Sequence, residues 1–444
     1  MNLPTKNHII ILGAGLCGSM LAIYLAKRGF QVSVFEKRPD LRKSELDAGR
    51  SINLALSHRG LKCFEQIGLI DKVRQLAIPM HGRTMHDLEG NLTFQPYGKQ
   101  GQYINSISRS GLNALLLDAA EEAGATMYFG QACKNVDIQT AEVWLEDGRN
   151  FKADFIFGAD GAFSILRSKL MRNDRFNYSQ HFIEHGYKEL SFPAKAGDFC
   201  IEPNSLHIWP RGGFMMIALP NLDKSFTVTL FLPFEGANSF EHLDKPENLK
   251  AFFQQYFPDS LVNLPDLQEQ YQHNPTSSLV TVKCYPWLRS KAMVIGDAAH
   301  AIVPFYGQGM NAAFEDCYVL NSMMDNFDGN WEALANRFQQ VRKPDADAIA
   351  DLALHNFIEM RDSVADEAFL LQKKIEARLH QAYPDKWIPL YTMVTFSNLR
   401  YSEALKRGRV QDAVMKEYMS KADFSHNPNE ANLAEIITLL DARS

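Results

Sequence analysis

Cysteine is scarce in this sequence and nowhere clustered. The 444 residues contain six cysteines, which form no CxxC pair and show no metal-ligand spacing: Cys17, Cys63, Cys133, Cys200, Cys284 and Cys317. Secreted domains that depend on disulfides carry cysteines more densely and in shorter chains. We therefore expect reduced thiols in a cytoplasmic protein, with no disulfide framework and no metal site.

Long apolar runs, repeats and low-complexity stretches are also lacking. No run approaches the roughly 18 apolar residues that a membrane span requires. The first residues, MNLPTK, lead directly into a strand pattern and show no signal-peptide cleavage site. These absences predict a compact soluble protein without a transmembrane anchor.

An excess of basic residues is the third absence. The chain has 46 lysines and arginines against 52 aspartates and glutamates, a formal net charge of -6. Proteins that bind a phosphate backbone need basic charge in excess, so we expect no nucleic-acid partner. Apolar residues at 46% and charged residues at 22% are typical of a soluble globular enzyme.

The N-terminal segment has the pattern of a strand, a glycine turn, a helix and a second strand. Residues 8–12 and 31–35 are apolar runs, and residues 16–28 have helical periodicity that stops at Gly29. The turn, Gly13-Ala14-Gly15-Leu16-Cys17-Gly18, matches GxGxxG. In a dinucleotide site the first glycine makes the turn, the second admits the pyrophosphate and the third lets the helix pack closely. The alternative is a glycine turn in an unrelated α/β domain.

Glu36 ends the second strand, where a carboxylate can accept hydrogen bonds from a ribose diol. Its charge repels the 2′-phosphate of NADP, so this turn is predicted to hold FAD or NAD rather than NADPH. The helix N-terminus supplies free N–H groups and partial positive charge for the phosphates.

Two further glycine–acid turns follow strand-like runs. Gly158-Ala159-Asp160-Gly161 comes after residues 151–157, and Gly296-Asp297 comes after residues 291–295. Asp297 can bind a ribitol or ribose hydroxyl, and Gly307 and Gly309 can expose N–H groups beside a helix that we expect to begin near residue 312. Each turn alone could be a loop with a capping aspartate. All three in this order indicate one dinucleotide site.

The remaining pattern predicts the domain organisation. Residues 207–209, 214–219 and 225–232 alternate around turn signals, which is typical of antiparallel sheet. Helical periodicity dominates after Trp331, with Pro344 and Pro384 as expected boundaries. We predict an α/β fold in which a Rossmann-type FAD-binding domain (1–70, 100–175 and 285–330) interleaves with an antiparallel-sheet substrate domain (71–99 and 176–284). A C-terminal helical region (331–444) follows.

With these motifs, the sequence resembles the group A flavoprotein aromatic hydroxylases, whose signatures are GxGxxG, a DG motif and a GD motif. Within that family the match is closer to the kynurenine 3-monooxygenase family, over nearly the whole chain. It rests on residues 50–56, 95–98, 207–210, 218–223, 226–231 and 304–311.

The resemblance implies an NADPH-dependent flavin monooxygenase in tryptophan degradation and NAD biosynthesis. It would convert L-kynurenine to 3-hydroxykynurenine with dioxygen, through a flavin 4a-hydroperoxide. NADPH would be a transient co-substrate, in agreement with the single GxGxxG. The alternatives are hydroxylation of another small aromatic acid, another flavin chemistry, or an FAD-like fold that only binds a partner. The WxWxIP signature of flavin halogenases is absent.

The resemblance and the glycine–acid turns together also imply site residues. The cofactor set is Gly13, Gly15, Gly18, Glu36, Ala55, Arg109, Val136, Asp160, Asp297, Gly307, Gly309, Met310 and Asn311. The polar end of the substrate site is Arg83, Tyr97, Asn356 and Tyr391. The substrate ring is implied to lie among Ile217, Leu219, Thr229, Phe231, Pro304, Phe305 and Met360. An arginine can hold a carboxylate through two parallel hydrogen bonds, which lysine cannot reproduce.

Ordinary structural roles remain open for these residues. Arg83 could be a solvated surface charge, the two tyrosines half-buried aromatics, and the apolar set plain sheet core. His300 could act as an acid or base, or merely satisfy local backbone groups. Tyr306 departs from relatives that carry other residues there, including histidine. Residues 428–444 are predicted to form an amphipathic helix that packs on the body, where eukaryotic relatives carry a membrane anchor.

Overall fold

The computed structural model describes residues 7–43, 53–98, 101–172, 174–362, 367–421, 424 and 427–443, with the backbone alone at 360–362. Its strands, in chain order, are β1 (His8–Leu12), β2 (Gln31–Glu36), β3 (Asn53–Leu56), β4 (Ala77–Met80), β5 (Gly82–His86), β6 (Leu92–Pro96), β7 (Ile104–Ser108), β8 (Thr126–Phe129), β9 (Cys133–Asp137), β10 (Glu142–Leu145), β11 (Asn150–Lys152), β12 (Phe155–Gly158), β13 (Asn177–Phe192), β14 (Ser205–Pro210), β15 (Met215–Pro220), β16 (Phe226–Pro233), β17 (Thr276–Tyr285), β18 (Leu288–Arg289) and β19 (Ala292–Val294).

The helices, in chain order, are α1 (Leu16–Lys27), α2 (His58–Ile67), α3 (Ile70–Gln75), α4 (Arg109–Glu122), α5 (Ile165–Leu170), α6 (Phe240–Leu243), α7 (Pro246–Tyr256), α8 (Leu267–His273), α9 (Asp297–His300), α10 (Gly309–Met323), α11 (Trp331–Asp362), α12 (Glu367–Ala382), α13 (Leu390–Thr395), α14 (Tyr401–Met419) and α15 (Leu433–Asp441). Short 3₁₀ turns lie at Leu41–Lys43, Leu261–Asn263, Pro304–Tyr306, Met324–Asn326 and Pro428–Glu430.

A six-stranded sheet forms the nucleotide-binding part, in the order β18-β19-β12-β1-β2-β8. The pairs β1–β2, β1–β12, β12–β19 and β2–β8 are parallel, as the alternation of strands and helices predicts. β1 is buried almost throughout, and α1 packs on the sheet through residues such as Met20 and Leu21. The strands therefore end together at one edge, where the glycine turns lie.

Two boundaries in this part differ from the sequence prediction. Residues 151–157 are not one strand: β11 pairs with β10 in a small sheet, whereas β12 pairs with β1. The break occurs at Asp154, whose carboxylate accepts a hydrogen bond from the His8 N–H at 2.7 Å. α10 begins at Gly309 rather than near residue 312, because the glycine stretch itself supplies its first turn.

A seven-stranded sheet forms the second part, in the order β17-β13-β16-β15-β14-β5-β6. Its neighbours are antiparallel, as predicted, except that β5 and β14 run parallel. The alternating pattern of the strands does not predict this parallel pair, because β5 lies more than one hundred residues before β14 in the chain. One face of the sheet packs on α7 and α8, and the other faces the nucleotide-binding part.

Pro344 lies inside α11 and does not end it, so the expected boundary there is wrong. Proline in a helix costs about 3 kcal/mol or more, because it removes a hydrogen bond and clashes with the preceding turn. Here the neighbouring residues Arg342 and Asp345 are buried in ion pairs, and these tertiary contacts hold the helix through the proline. Pro384 does follow a helix end, that of α12 at Ala382.

The C-terminal helix α15 packs on α12 and α14, as its amphipathic pattern predicts. It is shorter than the predicted helix over residues 428–444, because Pro428–Glu430 form a separate 3₁₀ turn before it. Ile436, Ile437 and Leu440 are buried in a cluster with Ile375 and Val414. In the part of the chain that the structure describes, no helix combines the length and the apolar character that a membrane crossing needs.

Candidate active site

The three glycine–acid turns surround one cavity of about 780 Å³. Gly13 and Gly15 of the first turn, Asp160 and Gly161 of the second, and Asp297 of the third all line it, together with Gly307 and Gly309. The cavity continues to the face of the seven-stranded sheet, so it joins the two parts of the fold. A pocket of this size, with turns at one end and apolar strands at the other, suits a bound cofactor next to a small substrate.

The glycines of the first turn have separate structural roles. Gly13 has φ +97°, and a Cβ there would lie 2.5 Å from the Ala159 carbonyl oxygen. A Cβ on Gly18 would lie 1.9 Å from the Gly13 carbonyl oxygen, so this glycine lets α1 sit against the turn. Among the described residues, no atom lies within 4 Å of a Cβ built in the same way on Gly15. Gly15 lines the cavity, whereas Gly18 packs behind it.

The open space at Gly15 fits the pyrophosphate of FAD. The N-cap of α1 is Gly15, which has no side chain to occupy the free N–H groups, and the first turn of α1 carries no acidic residue. The free N–H groups and the partial positive charge of the helix are therefore available to a phosphate.

Glu36 lies next to this turn and is held in position. Its carboxylate accepts hydrogen bonds from the Ala14 N–H at 2.9 Å, the Arg38 N–H at 3.0 Å and the Arg38 Nε at 2.9 Å. Burial opposes ionisation, but these hydrogen bonds outweigh it and keep the pKa of Glu36 below its ordinary value. Glu36 is thus an ionised acceptor at the cavity wall, as a ribose diol requires.

Asp160 organises the second turn. Its Oδ2 accepts hydrogen bonds from the Ile165 N–H at 2.7 Å and the Leu166 N–H at 3.2 Å, at the start of α5. Its Oδ1 is buried and has no partner within the described residues, and burial raises the pKa of Asp160. Asp160 therefore both caps α5 with its carboxylate and lines the cavity.

Asn311 supports the glycine stretch at residues 307–309 from behind. Its Nδ2 donates to the Ala55 and Gly307 carbonyl oxygens, both at 2.9 Å, and its Oδ1 accepts from the Ser57 N–H at 3.0 Å. Ala55, Arg109 and Met310 line the cavity, but Asn311 does not. Val136 also lies away from it, packed in the core of the nucleotide-binding part.

Arg83, Tyr97 and Tyr391 come together in the cavity wall, at the polar end implied for the substrate site. The guanidinium carbon of Arg83 lies 4.4 Å from the centroid of the Tyr391 ring and 5.6 Å from that of Tyr97. Within the described residues, Arg83 makes no ion pair, and neither its Nε nor the Tyr97 hydroxyl has a hydrogen-bond partner. A half-buried cation beside donors without a partner in the described residues is suited to an anionic group of a ligand.

The protonation states at this end favour a carboxylate ligand. Burial opposes the charge on Arg83, but the two tyrosines outweigh that effect and keep the pKa of Arg83 above its ordinary value. Burial, followed by the neighbouring Tyr391, raises the pKa of Tyr97, so its hydroxyl stays protonated and can donate.

Asn356 and Met360, which are also predicted to bind the substrate, are not seen in the cavity wall with this group. Asn356 is buried, donates from Nδ2 to the Phe305 carbonyl oxygen at 2.6 Å, and does not line the cavity. It supports Phe305, which does. Met360 lies on α11, but its side chain falls outside the described residues.

The apolar wall comes from alternate residues of the sheet. Ile217, Leu219, Thr229 and Phe231 all line the cavity, with Pro304 and Phe305 facing them. The register places Ile217 opposite Thr229 on neighbouring strands. Strand residues spaced by two share a face, so the sequence spacing correctly placed each pair.

Sequence reasoning missed several residues of this wall. Leu206 and Ile208 on β14, Met215 on β15 and Tyr187 on β13 also line it. Alternation within the strands was a usable signal for the first three, once the sheet order was known. Tyr306 lines the cavity as well and stacks on Tyr391 with ring centroids 5.4 Å apart.

His300 takes no part in lining the cavity. It is buried, and its Nε2 lies 2.5 Å from Oδ2 of Asp316, to which it donates. This placement agrees with the structural interpretation of His300. Within the described residues, no group of three or more histidine, cysteine, aspartate or glutamate side chains could hold a metal ion.

A second cavity, of about 960 Å³, lies beside the first on the same face of the sheet. Its wall includes Glu189, Ser106 and Asn274, and Tyr187 borders both cavities. Burial raises the pKa of Glu189 to about 7, and Arg109 offsets this only in part.

Comparison with known proteins gives consistent matches. Residues 6–351 match the model of the FAD binding domain family. A kynurenine 3-monooxygenase of Flavobacterium psychrophilum is 49% identical over 99% of this chain and 99% of its own. That of Sus scrofa is 46% identical over 92% of this chain and 88% of its own.

Solved structures resemble the fold at lower identity. A tetrameric form of 2-methyl-3-hydroxypyridine-5-carboxylic acid oxygenase aligns with a TM-score of 0.66 and 21% identity, over 82% of this chain and 95% of its own. PqsL of Pseudomonas aeruginosa in complex with 2-aminobenzoylacetate aligns with a TM-score of 0.65 and 21% identity, over 81% and 97%. At this identity the likeness supports the fold alone.

Proposed function

Because the chain belongs to the kynurenine 3-monooxygenases, a group of FAD-dependent monooxygenases, we propose that its own substrate is L-kynurenine, which it converts to 3-hydroxykynurenine. NADPH supplies two electrons, one atom of dioxygen enters the aromatic ring and the other leaves as water. The proposal is carried by one observation: Arg83, which makes no ion pair within the described residues, lines the same cavity as the glycine turns and the apolar residues of the sheet.

Bound FAD supplies the redox chemistry, accepting a hydride from NADPH and activating dioxygen. The residues that would hold it are the glycines that line the cavity, Glu36 and Asp297. We assign the N–H groups at Gly15 to the pyrophosphate, the Glu36 carboxylate to the ribose diol, and Asp297 to a hydroxyl of the ribitol chain.

The protein orients the substrate through its amino-acid tail. Arg83 would hold the carboxylate through two parallel hydrogen bonds, and the protonated Tyr97 hydroxyl would donate to the same group. Tyr391 stacks between Tyr306 and the Arg83–Tyr97 pair and so fixes the position of the guanidinium. The aniline ring is then directed toward the flavin end of the cavity.

The apolar wall excludes water from the reacting carbon. Ile217, Leu219, Phe231 and Phe305 offer no hydrogen-bonding side chains to a solvent molecule. A dry environment would limit the wasteful release of activated oxygen as hydrogen peroxide, which consumes NADPH without hydroxylating the substrate. Thr229 is the polar exception and lies in the strand that faces Ile217.

The test is NADPH oxidation by the purified yellow protein with two ligands that differ only in the carboxylate. L-kynurenine should stimulate NADPH consumption and yield 3-hydroxykynurenine in near-stoichiometric amount. Kynuramine, its decarboxylated analogue, should bind at least about tenfold more weakly, because it cannot pair with Arg83. Stimulation by 4-hydroxybenzoate but not by L-kynurenine would contradict the proposal and indicate another aromatic acid as substrate.

A cytoplasmic location is part of the proposal. All six cysteines are free thiols in the structure, as is usual in a reducing compartment.

A further inference from the structure

Behind the third glycine–acid turn, a buried carboxylate binds both ends of the turn. Asp316, on α10, is fully buried. Its Oδ2 accepts a hydrogen bond from the Gly296 N–H at 3.2 Å and from His300 Nε2 at 2.5 Å. Gly296 precedes α9 and His300 ends it, so Asp297 lies between two anchored points.

The backbone at Gly296 explains why anchoring is needed. Gly296 has φ +61°, a conformation that side-chain-bearing residues rarely adopt, and a Cβ there would lie 2.7 Å from Cys17 Sγ. The turn is therefore pressed against α1, the helix of the GxGxxG motif. The position of the Asp297 side chain depends on how this turn is held.

The charge on Asp316 is balanced by Arg342 of α11. Arg342 Nε donates to Asp316 Oδ1 at 2.8 Å, and its Nη1 donates to Glu315 at 2.8 Å and to Asp345 at 3.3 Å. Burial opposes ionisation, but His300 and Arg342 together hold the pKa of Asp316 below its ordinary value. A buried charge persists only when it is paired and hydrogen-bonded in this way.

The same cluster reaches the glycine stretch at residues 307–309. Arg59 pairs with Glu315 and lies 4.1 Å from the centroid of the Tyr401 ring. The Tyr401 hydroxyl donates to Gln308 Oε1 at 2.9 Å, immediately before α10. Both cofactor-facing turns of this region are thus connected to one set of buried charges, although none of Asp316, Arg342 and Arg59 lines the cavity.

We propose that Asp316, supported by His300 and Arg342, is a positioning residue for FAD: it fixes the turn that carries Asp297 without touching the cofactor. This inference depends on the proposal that the protein binds FAD, and it does not depend on which aromatic compound is the substrate. It also gives the C-terminal helices α11 and α14, through Arg342 and Tyr401, an indirect role in cofactor binding.

The test compares Asp316→Asn with Asp345→Asn. Asp345 is also buried and also accepts a hydrogen bond from Arg342, at 3.3 Å against 2.8 Å for Asp316. Its other partners are Arg400 and Ser402, and none of its bonds within the described residues goes to the turn. Each variant loses one buried charge and gains an amide of the same size, so both should lower the thermal midpoint.

Cofactor retention should separate the two variants. The holoenzymes are diluted, and released FAD is measured by its fluorescence to give a dissociation constant. We expect Asp316→Asn to raise that constant about tenfold or more, as the loss of an outer partner of a bound group does elsewhere, and Asp345→Asn to change it less than about twofold. Equal FAD affinity in the two variants, at equal loss of thermal midpoint, would overturn the proposal.

His300 provides a milder test that does not disturb the Asp316–Arg342 pair. His300→Leu removes one of the two bonds to the turn, and His300→Gln keeps a donor in its place. FAD affinity should fall several-fold in the first variant and be largely restored in the second. If His300→Leu retains FAD like the unmodified protein, the turn is held without this contact and the proposal fails, even where Asp316→Asn does not fold. Neither titration requires L-kynurenine, so its outcome is independent of the substrate assignment.

Discussion

Two arginines inside the molecule have opposite surroundings. Arg342 is 2% exposed and contacts three carboxylates, those of Glu315, Asp316 and Asp345. Arg83 lies against the rings of Tyr97 and Tyr391, and among the residues that the structure describes no carboxylate is within ion-pair distance of it. A cation whose counter-ions belong to the protein stabilises the fold, whereas one that lacks them is available to a ligand. We infer that this difference separates the structural arginine from the substrate-binding one.

The largest expected effect follows from removing Arg342. Arg342→Met leaves three carboxylates in the interior without their shared cation, and breaking a buried pair in this way costs roughly 3–5 kcal/mol. The free energy of unfolding from chemical denaturation should fall by that amount. Arg83→Met is the control of identical chemistry, and it should change stability little or raise it, since it removes an unpaired charge. Equal stability of the two variants would mean that the ion pairs around Arg342 contribute nothing.

The second effect concerns ligand binding and is expected to be somewhat smaller. Arg83→Met should raise the Michaelis constant for L-kynurenine by about 100-fold, because a charge-assisted pair with a carboxylate is lost, while bound FAD is retained. Kynuramine, which lacks the carboxylate, should be bound equally well by both forms. Arg83→Lys should recover only part of the loss, since an ammonium cannot make two parallel hydrogen bonds.

The ligand pair decides how that result is interpreted. A parallel loss of affinity for L-kynurenine and kynuramine would show that Arg83 shapes the cavity rather than binding the carboxylate.

The smallest expected effect concerns Glu189, a partly buried acid that makes no ion pair within the described residues. Burial raises the pKa of Glu189 from 4.5 to about 7, so the folded protein holds this proton more tightly than the unfolded chain. Its stabilising contribution is complete below about pH 4.5 and is lost as the pH rises through about 7. The thermal midpoint of the unmodified protein should therefore fall between about pH 4.5 and about pH 7, and Glu189→Gln should make this fall smaller. Glu184→Gln, at an exposed position on the same strand, should leave the profile unchanged.

Much of the nucleotide-binding part could be predicted because its signals are local. The strand, glycine turn, helix and second strand at residues 8–36 follow from short-range periodicity, and Glu36 lies where the motif requires it. The convergence of Asp160 and Asp297 on one cavity also followed, since parallel strands end at a common edge. The resemblance to a known family, rather than composition or spacing, located Arg83 and Tyr97.

The structure adds what depends on distant contacts. Nothing near Pro344 in the sequence shows that Arg342 is paired with a carboxylate 26 residues earlier, and this pairing is why the helix continues through the proline. The parallel pairing of β5 with β14 joins segments separated by more than one hundred residues, which alternation within either strand does not reveal. His300 likewise shows its partner, Asp316, only once α9 and α10 are packed together.

The central strands of the seven-stranded sheet have no solvent face. Ile217, Leu219 and Phe231 border the cavity, while the intervening residues Met216 and Leu230 are buried against α7 and α8. Along each strand, residues that line the cavity therefore alternate with residues that pack against the helices, and the two sets are constrained separately.

Because the residues that line the cavity are separate from those that pack against the helices, we expect the substrate specificity to change without loss of the fold. Exchanges at positions 217, 219, 229 and 231 alter the shape offered to the aromatic ring without opening a void on the helix side, so new specificities are accessible by point substitution. A single-residue insertion in β15 or β16, in contrast, would swap the two sets and damage both packing surfaces at once. Diversification of the pocket should thus proceed by replacement and almost never by change of strand length.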